Sequence, residues 1–388
     1  MRLVTIRPIT QAAAAPPDTE SSAGTPAASA PPAGRVNAGA PQPDTEPASA
    51  PPAGRANAAG TAILLESGAA LPLEMLARIA GWPMPESIGR LTLSELIAAD
   101  PEFTGIRQGM STAAPAMLEA MALPAGEFRF HSPIARPGKI VGVGYNYLDH
   151  IREQGLERPA RPVLFSMFAN AVTADGDPIR KPAGTHALDL EAELAVIIGK
   201  RASRVRPAMA LSYVAGYTAA NDVTARDWQG QAKALRPGEK GDGQWLRAKG
   251  SDTFLPLGPI LVTADEMSAD GGPGDGRGLS VRSWRTAASG ADAGTAVQMQ
   301  DGNTSDLLFS IADLIAIISA EVTLDPGDVI ITGTPSGVGV FREPQVFLEP
   351  GDLVRVEVER IGSLTNPITD EDGNAPAGSP AARFMAGA

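Results

Sequence analysis

The sequence predicts an α+β protein, with short helices in its first third and strands in most of the remainder. Apolar residues in Pro72–Ile79, Ser94–Ala98 and Ala114–Met121 recur at helical spacing. From Lys139 onward, short apolar runs separated by glycine and proline are typical of strands. A chain of 388 residues suits two domains, or one large domain with an appendage. The expected units are a small N-terminal α+β domain, a larger domain and a C-terminal tail, at 1–135, 136–367 and 368–388.

Composition excludes several classes of function. The formal net charge is −12 and no basic run occurs, which argues against a protein that tracks nucleic-acid phosphates. Because cysteine is absent, the chain has no disulfide, thiolate nucleophile or sulfur-ligated zinc. With only 3 histidines, a three-histidine zinc site is disfavoured, so a metal would be held mainly by oxygen.

No segment has the form of a targeting or membrane-spanning sequence. The first residues, MRLVTIRPIT, lack the apolar core of a signal peptide, and no apolar run elsewhere is long enough to cross a bilayer. We therefore expect a soluble, cytoplasmic protein with no membrane partner, whose partners are small molecules or a second copy of itself.

A low-complexity segment occupies about residues 11–60. Its only aliphatic residue larger than alanine is Val36, and ASAPPAGR occurs at both 28–35 and 48–55. Such a segment cannot bury a core and is predicted to be disordered. Short strand patterns flank it, RLVTIRP and TAILLESGAALPL, so we expect an insertion in the turn of an N-terminal hairpin. A tether or partner-binding arm is one interpretation, and a tolerated expansion without a role is the favoured one.

Acidic residues are concentrated in one predicted strand. Leu188–Ile198 alternates with the period of a strand, which places Asp189, Glu191 and Glu193 on one face. Asp222 adds a carboxylate in the segment YTAANDVTARDWQ. Like charges side by side are destabilising unless water or a cation screens them. The alternatives are a sheet with a wet, acidic face and a divalent-metal site.

A strand followed by a histidine and a glutamate comes earlier, in IVGVGYNYLDHIREQG. Gly142 and Gly144 suggest a dinucleotide fingerprint, but its third glycine position is Tyr147, so a Rossmann site is rejected. His150 and Glu153 are three apart and share a face of a helical turn. A carboxylate that orients an imidazole suits a general base that activates water. The alternative is an ordinary surface contact between the two side chains.

Two other segments are candidates for a ligand site. Lys249 lies in WLRAKGSDTFLPLGP, punctuated by glycine and proline, which could bring an ammonium toward the acids. The segment DVIITGTPSGVG is a strand that runs into a glycine-rich loop without the lysine of a P-loop. A tight backbone loop beside a ligand is its functional interpretation, and a plain turn is the alternative.

These blocks together resemble the fumarylacetoacetate hydrolase family. The matching blocks, in the family's order, are SPIARPGKIVGVGYNYLDHIRE, LDLEAELAVIIGK, VAGYTAANDVTARDWQ, RAKGSDTFLPLGP, QDGNTSDLLFSIADLIAIIS and LDPGDVIITGTPSGVG. The resemblance covers about 132–367. It is closest to the acylpyruvase and bacterial oxo-acid hydrolase-isomerase subgroup, and it implies a catalytic domain built as a mixed β-roll in a homodimer.

The resemblance also implies a set of site residues. Mg²⁺, or Mn²⁺ or Ca²⁺ in its place, would be held by Glu191, Glu193 and Asp222, with Asp189 outside the ligand set. The implied catalytic residues are His150 and Glu153 on a lid, with Lys249 in the site. The implied substrate contacts are Gln229, Thr334 and Tyr147.

The sequence departs from the family at two positions. Many relatives have a lysine where this chain has Met167, in PVLFSMFANAVTADGDPI, so an active-site cation is missing. A serine often follows the active lysine, where this chain has Gly250.

Hydrolysis is the function expected from this combination: metal-dependent cleavage of a C–C bond in an acylpyruvate-like or related β-diketo acid, through a metal-stabilised enolate. Lys249 would offset oxyanion charge, and His150 with Glu153 would deliver hydroxide. The first alternative is an isomerase, tautomerase or decarboxylase of a 2-oxo dicarboxylic acid. The alternative from another class is a catalytically impaired scaffold or binding protein.

Overall fold

The N-terminal hairpin is present in the computed structural model, which describes residues 1–9, 59–82, 91–241, 243–268 and 274–387. Strand Arg2–Pro8 pairs antiparallel with Gly60–Leu64, and Ile6 lies opposite Gly60. The predicted hairpin is therefore confirmed. The predicted disorder of 11–60 lies outside the described residues, except for the last two positions.

A large mixed sheet forms the centre of the molecule. Its strands are β1 (Arg2–Pro8), β2 (Gly60–Leu64), β3 (Ala70–Pro72), β4 (Phe128–His131), β5 (Ile140–Gly144), β6 (Val163–Met167), β7 (Val172–Thr173), β10 (Ala192–Ile198), β11 (Val214–Asn221), β13 (Leu255–Thr263) and β16 (Val329–Ile331). The strand order is β3-β2-β1-β13-β11-β10-β16-β5-β6, with β4 paired to β1 and β7 to β13. The N-terminal strands thus join the strands that carry the predicted site.

Two smaller sheets complete the β structure of the described residues, which contain no closed barrel. One has the order β15-β14-β17-β18-β8, formed by β8 (Ile179–Arg180), β14 (Ser280–Thr286), β15 (Ala296–Asn303), β17 (Leu353–Val358) and β18 (Gly362–Thr369). The other pairs β9 (Leu188–Asp189) with β12 (Thr224–Ala225).

The prediction of one continuous strand over Leu188–Ile198 is wrong. The chain forms β9 in the two-stranded sheet, loses strand structure at Leu190 and Glu191, and continues as β10 in the central sheet. The Glu191 N–H donates to the side chain of Asn221, and the Glu191 carbonyl accepts from Asp222. These bonds fix the break, so Glu191 lies at a kink beside Asp222.

The helices are short and mostly surround the sheets. They are α1 (Leu73–Ile79), α2 (Leu93–Ala99), α3 (Thr104–Thr112), α4 (Pro115–Ala120), α5 (Leu148–Glu153), α6 (Pro207–Ala210), α7 (Arg226–Gln229), α8 (Trp245–Lys249), α9 (Ala264–Ser268), α10 (Ile311–Glu321) and α11 (Pro380–Gly387). The three helices predicted in the first third correspond to α1, α2 and α4. Among the described helices, none combines the length and apolar character needed to cross a bilayer.

Both faces of the central sheet are covered. Every residue of β10 is buried, and its alternate side chains enter different apolar clusters. Leu194 and Val196 pack with Leu314 of α10, whereas Ile197 packs in the cluster that holds Leu76 of α1. A strand buried on both faces has no wet side, which removes the wet-face interpretation of its carboxylates.

Candidate metal centre and active site

Glu191, Glu193 and Asp222 converge on one point. Glu193 lies on β10, Glu191 at the kink before it, and Asp222 directly after β11. The antiparallel pairing of Ala192 with Asn221 brings the end of β11 beside the kink. One oxygen from each carboxylate lies within 4.8 Å of the other two, and all three side chains are buried.

The arrangement fits a hard divalent cation. Bonds of 2.0–2.1 Å to Mg²⁺, or 2.3–2.6 Å to Ca²⁺, place ligand oxygens on opposite sides of the ion about 4 to 5 Å apart. One carboxylate oxygen, Asp222 Oδ1, is buried with no hydrogen-bond partner among the described residues. Burying an anionic oxygen without a partner costs free energy. A cation bound at this point would supply the partner that Asp222 Oδ1 lacks.

Lys249 is buried against the same carboxylates. Its Nζ lies 3.0 Å from Glu191 Oε2, 2.5 Å from Asp222 Oδ2 and 2.8 Å from Thr224 Oγ1. Lys249 is the last residue of α8 and is 2% exposed. The sequence predicts it only in a segment interrupted by glycine and proline. A Cβ on Gly250 would lie 2.6 Å from the Leu246 carbonyl oxygen, so this helix end fits glycine and a serine would require a shift.

Arg226 is a site residue that the sequence reasoning missed. It opens α7 and is 3% exposed. Its Nε donates to Asp189 Oδ2 at 2.9 Å, and its Nη1 lies 2.6 Å from Glu191 Oε1. Asp189 also accepts from the backbone N–H groups of 339 and 340, so it holds Arg226 in position, and it is not one of the three carboxylates that converge. The signal in the sequence was an arginine four residues after Asp222, together with an acid on the predicted ligand strand that needed a partner.

The buried charges move the pKa values in opposite directions. Burial and the neighbouring carboxylates raise the pKa of Glu193. Burial also raises the pKa of Asp222, to about 7, although Lys249 acts against it. For Glu191, burial raises the pKa, but Lys249 and Arg226 outweigh burial and lower it to about 2. One carboxylate is thus firmly ionised while its two neighbours hold protons more readily.

His150 and Glu153 form the predicted pair on α5. His150 Nδ1 lies 2.9 Å from Glu153 Oε2, and the other carboxylate oxygen accepts from the N–H of Gly337 at 2.9 Å. Asp149 also anchors the helix, since its Oδ2 accepts from Ser336 N at 3.2 Å and from Ser336 Oγ at 2.8 Å. The helix therefore lies docked on the glycine-rich loop after β16.

One cavity of ≈ 420 Å³, including its open mouth, collects most of these side chains. Its lining comprises Val143, Gly144, Tyr145, His150, Gln154, Phe165, Glu191, Glu193, Asp222, Arg226, Gln229, Gln231, Trp245, Lys249, Thr334 and Phe341. Of the predicted substrate contacts, Gln229 and Thr334 therefore reach the cavity. Tyr147 does not line it and is fully buried, whereas Tyr145 does line it.

Aromatic side chains form one wall of the cavity. Trp245 packs edge-on to Tyr145 at 6.3 Å and tilted against Phe165 at 5.4 Å, centroid to centroid. A Cβ on Gly142 would lie 2.0 Å from the Phe165 ring, so this glycine makes room for the ring. Met167, two residues farther along β6, is buried opposite Ile140 in the core. Among the described lining residues, the only lysine and arginine are Lys249 and Arg226.

The chain is similar to proteins of known family. A family model described as "Fumarylacetoacetate (FAA) hydrolase C-terminal" matches residues 139–369. Oxaloacetate tautomerase FAHD2A, mitochondrial, of Bos taurus is 41% identical over 263 residues, or 68% of this chain and 74% of the bovine protein.

Solved structures extend the likeness to the fold. The 2-hydroxyhepta-2,4-diene-1,7-dioate isomerase from Mycobacterium marinum is 36% identical with a TM-score of 0.51, over 64% of this chain and 81% of that one. The fumarylacetoacetate hydrolase from Exiguobacterium antarcticum is 29% identical with a TM-score of 0.62, over 81% and 96%.

The mixed sheet and its buried carboxylate centre define the class: an enzyme that acts on a small molecule. The chain belongs to the fumarylacetoacetate hydrolase family. The family generally uses a divalent metal, and the three buried carboxylates fit one.

Proposed function

We propose that the protein is a divalent-metal-dependent tautomerase or isomerase of a 2-oxo dicarboxylic acid, with oxaloacetate as the first candidate. The names of its relatives carry this choice. The bovine relative is named an oxaloacetate tautomerase, and the M. marinum structure an isomerase of a seven-carbon dioate. The C–C bond cleavage expected first from the sequence therefore becomes the second candidate.

Arg226 supports a substrate that carries a carboxylate. Its Nε and Nη1 are engaged, but Nη2 is buried without a partner among the described residues, and the residue lines the cavity. A buried donor without an acceptor costs about 1–3 kcal/mol. A substrate carboxylate would supply that acceptor.

His150 supports a reaction that moves a proton. Tautomerisation breaks a C3–H bond and forms an O–H bond at the 2-oxygen, so it needs a base and an acid within reach. The carboxylate of Glu153 can only accept a hydrogen bond, so Nδ1 of His150 carries the hydrogen. The other ring nitrogen, Nε2, is then the basic nitrogen available to a substrate. A divalent ion on the three carboxylates would polarise the substrate carbonyl and acidify C3–H.

The test follows both ends of the proton transfer. We would measure C3 deuterium incorporation into oxaloacetate in D₂O, and decay of the enol absorbance, with Mg²⁺, Mn²⁺ or Ca²⁺ and after subtraction of the rate with metal alone. The proposal predicts chelator-sensitive acceleration of both. If neither rate exceeds that of metal alone, the protein is not a tautomerase of this substrate.

Hydrolysis stays a candidate because of the His150–Glu153 pair, since a base oriented by a carboxylate also activates water. The two functions differ in their products. Hydrolysis of an acylpyruvate releases a carboxylic acid and pyruvate, decarboxylation of oxaloacetate releases CO₂ and pyruvate, and tautomerisation releases neither. Product analysis on the same samples therefore assigns the reaction.

We propose three further properties, the first two on the strength of the family and the third as the expectation from the sequence. The catalytic unit at 136–367 is a mixed β-roll preceded by a small domain at 1–135, the protein is a homodimer, and it acts in the cytoplasm. The bovine relative is named as mitochondrial, which makes location a separate question. Sedimentation would test the dimer, limited proteolysis the boundary near residue 135, and cell fractionation the compartment.

A further inference from the structure

Gln300 lies behind the active-site cavity and has its four hydrogen bonds in a fully buried setting. It projects from β15 and is 1% exposed. Its Oε1 accepts from Ala192 N and from Ser283 Oγ, each at 2.9 Å. Its Nε2 donates to Thr334 Oγ1 at 2.7 Å and to the Pro335 carbonyl at 2.9 Å.

The orientation of this amide is fixed by two backbone groups. The Ala192 N–H can only donate, so the atom facing it is the oxygen. The Pro335 carbonyl can only accept, so the atom facing it is the nitrogen. A flipped amide would oppose donor to donor and acceptor to acceptor in a buried place, and is excluded on that ground.

The fixed amide in turn fixes the hydroxyl of Thr334. Because Gln300 Nε2 has no lone pair to offer, Thr334 Oγ1 must accept from it. The hydroxyl proton is then directed to the Ala192 carbonyl, 3.0 Å from Oγ1. A hydroxyl oxygen has two lone pairs, and one is left over. Thr334 lines the cavity, so this second lone pair is available to accept a hydrogen bond from a ligand.

We propose that Thr334 acts in this site as a hydrogen-bond acceptor, held in that role by the positioning residue Gln300, and that the site thereby selects a ligand with an O–H group. In the proposed tautomerase that group is the hydroxyl of the enol tautomer, and this choice of ligand rests on the proposed function. The acceptor role itself does not. If Thr334 donated to a substrate carboxylate, it would leave the Ala192 carbonyl, on the residue between Glu191 and Glu193, without a partner.

The test compares two ligands of the same skeleton, L-malate and its O-methyl ether, (S)-2-methoxysuccinate. Calorimetric titration in the presence of Mg²⁺ gives Kd for each, and needs no turnover. Methylation alters other contacts equally in every variant, so the change in the ratio of the two Kd values between proteins isolates the Thr334 contact. We expect Thr334→Val to shrink the wild-type preference for the hydroxyl ligand by about tenfold, and Thr334→Ser to retain it.

Thr332→Val is the matched control. Thr332 lies two residues earlier, is equally buried, and donates to the Leu194 carbonyl without lining the cavity. It should keep the wild-type preference. Gln300→Met frees the Thr334 hydroxyl to rotate, so it should shrink the preference while Mg²⁺ affinity stays within about twofold.

Two results would overturn the proposal. One is equal binding of malate and its methyl ether by the wild-type protein, which needs no variant to fold. The other is an unchanged Kd ratio in folded Thr334→Val. If the wild-type protein does not exchange the C3 proton of oxaloacetate, the tautomerase is refuted. If the ratio of the two Kd values still changes in Thr334→Val, the acceptor role stands.

Discussion

Five charged side chains meet at the carboxylate centre, and their sum is −1 before a cation binds. Glu191, Glu193 and Asp222 are opposed by Lys249 and Arg226. Desolvated charges are costly unless each has a partner, and the two cations both contact Glu191. Glu193 and Asp222 carry most of the uncompensated charge, which is where the pKa values rise. A divalent ion would offset this charge.

The raised pKa values predict proton release on metal binding. For a carboxyl group whose folded-state pKa is raised to about 7, stability without metal falls as pH rises from its ordinary range to that value. Metal needs the ionised form, so Mg²⁺ affinity should rise up to tenfold per pH unit below pH 7 and level off above it. The gain in Tm from Mg²⁺ should therefore be larger at pH 8 than at pH 6. Calorimetry in two buffers of different ionisation enthalpy would count the protons, and a gain in Tm independent of pH would contradict the assignment.

Glu191→Gln should abolish metal binding. The change keeps the shape of the side chain but removes the most strongly ionised carboxylate of the site. Mg²⁺ affinity measured by calorimetry should fall by at least about a hundredfold, by analogy with the loss of a charged partner in a buried pair. Glu321→Gln, at the exposed end of α10, is the control. A Glu191 variant that binds Mg²⁺ as the wild type does would remove this residue from the ligand set.

His150→Gln should keep the metal and lose catalysis. Loss of a general base typically costs 10² to 10⁴ in rate. The other histidines serve as controls, and His131→Gln is preferred because His131 lies on β4, away from the described cavity lining. We expect kcat to fall by about a hundredfold or more for His150→Gln and to change less than about twofold for His131→Gln. Turnover close to wild type in folded His150→Gln would refute its role.

At the scale of elements, α5 is held down mainly by Asp149 and Glu153. Asp149 accepts two hydrogen bonds from Ser336, and its N–H donates to Asp306. Asp149→Ala should loosen the helix, raising KM by about ten- to a hundredfold, since bonds to a charged group contribute about 1.5–3 kcal/mol. Mg²⁺ affinity should not change. Hydrogen exchange would show faster exchange in 148–153, with Ser336→Ala giving a smaller effect, and unchanged exchange there would exclude the anchor.

The sequence predicted the elements of the site whose partners are near in the chain or share a strand. His150 and Glu153 needed only a helical turn, and the alternation of apolar and acidic residues singled out Glu191 and Glu193, although Glu191 lies at a kink outside the strand. Arg226 escaped because its role depends on Asp189, 37 residues away. Gln300 escaped because it reaches Ala192 across 108 residues. The kink at Glu191 could not be predicted from alternation, because it is fixed by the side chain of Asn221 on another strand.

At the scale of the molecule, charge is unevenly distributed. The chain carries −12 overall, yet 231–247 sums to +2 and 152–161 to +1 in the sequence, and both segments contribute residues to the cavity lining. The positive charge of these two segments, which both reach the cavity, should attract anionic substrates over about a Debye length. We expect kcat/KM to fall several-fold between low and high ionic strength, with little change in kcat. Lys240→Glu should weaken this dependence, and Arg206→Glu, exposed on another part of the chain, should not.

Replacing residues 10–58 with an Asn-Gly turn should leave the fold intact. The strands on either side already face each other, since Ile6 pairs with Gly60. Closing a turn in place of a loop of about fifty residues should add about 2 kcal/mol to the free energy of unfolding. Thermal unfolding would show a higher Tm. A large drop would mean that the segment packs on the protein after all.

The position of β1 bears on how the chain is made. Leu3 is synthesised well before its partner on β13, which is Leu261. At 5–20 residues per second, about 250 residues of synthesis separate them by roughly 10–50 seconds. During that interval β1 can pair with β2 and with β4, but the edge at Arg2–Val4, which β13 later covers, is an open template for any strand nearby. Nascent chains stalled before residue 255 should therefore depend on chaperones far more than chains stalled after residue 263.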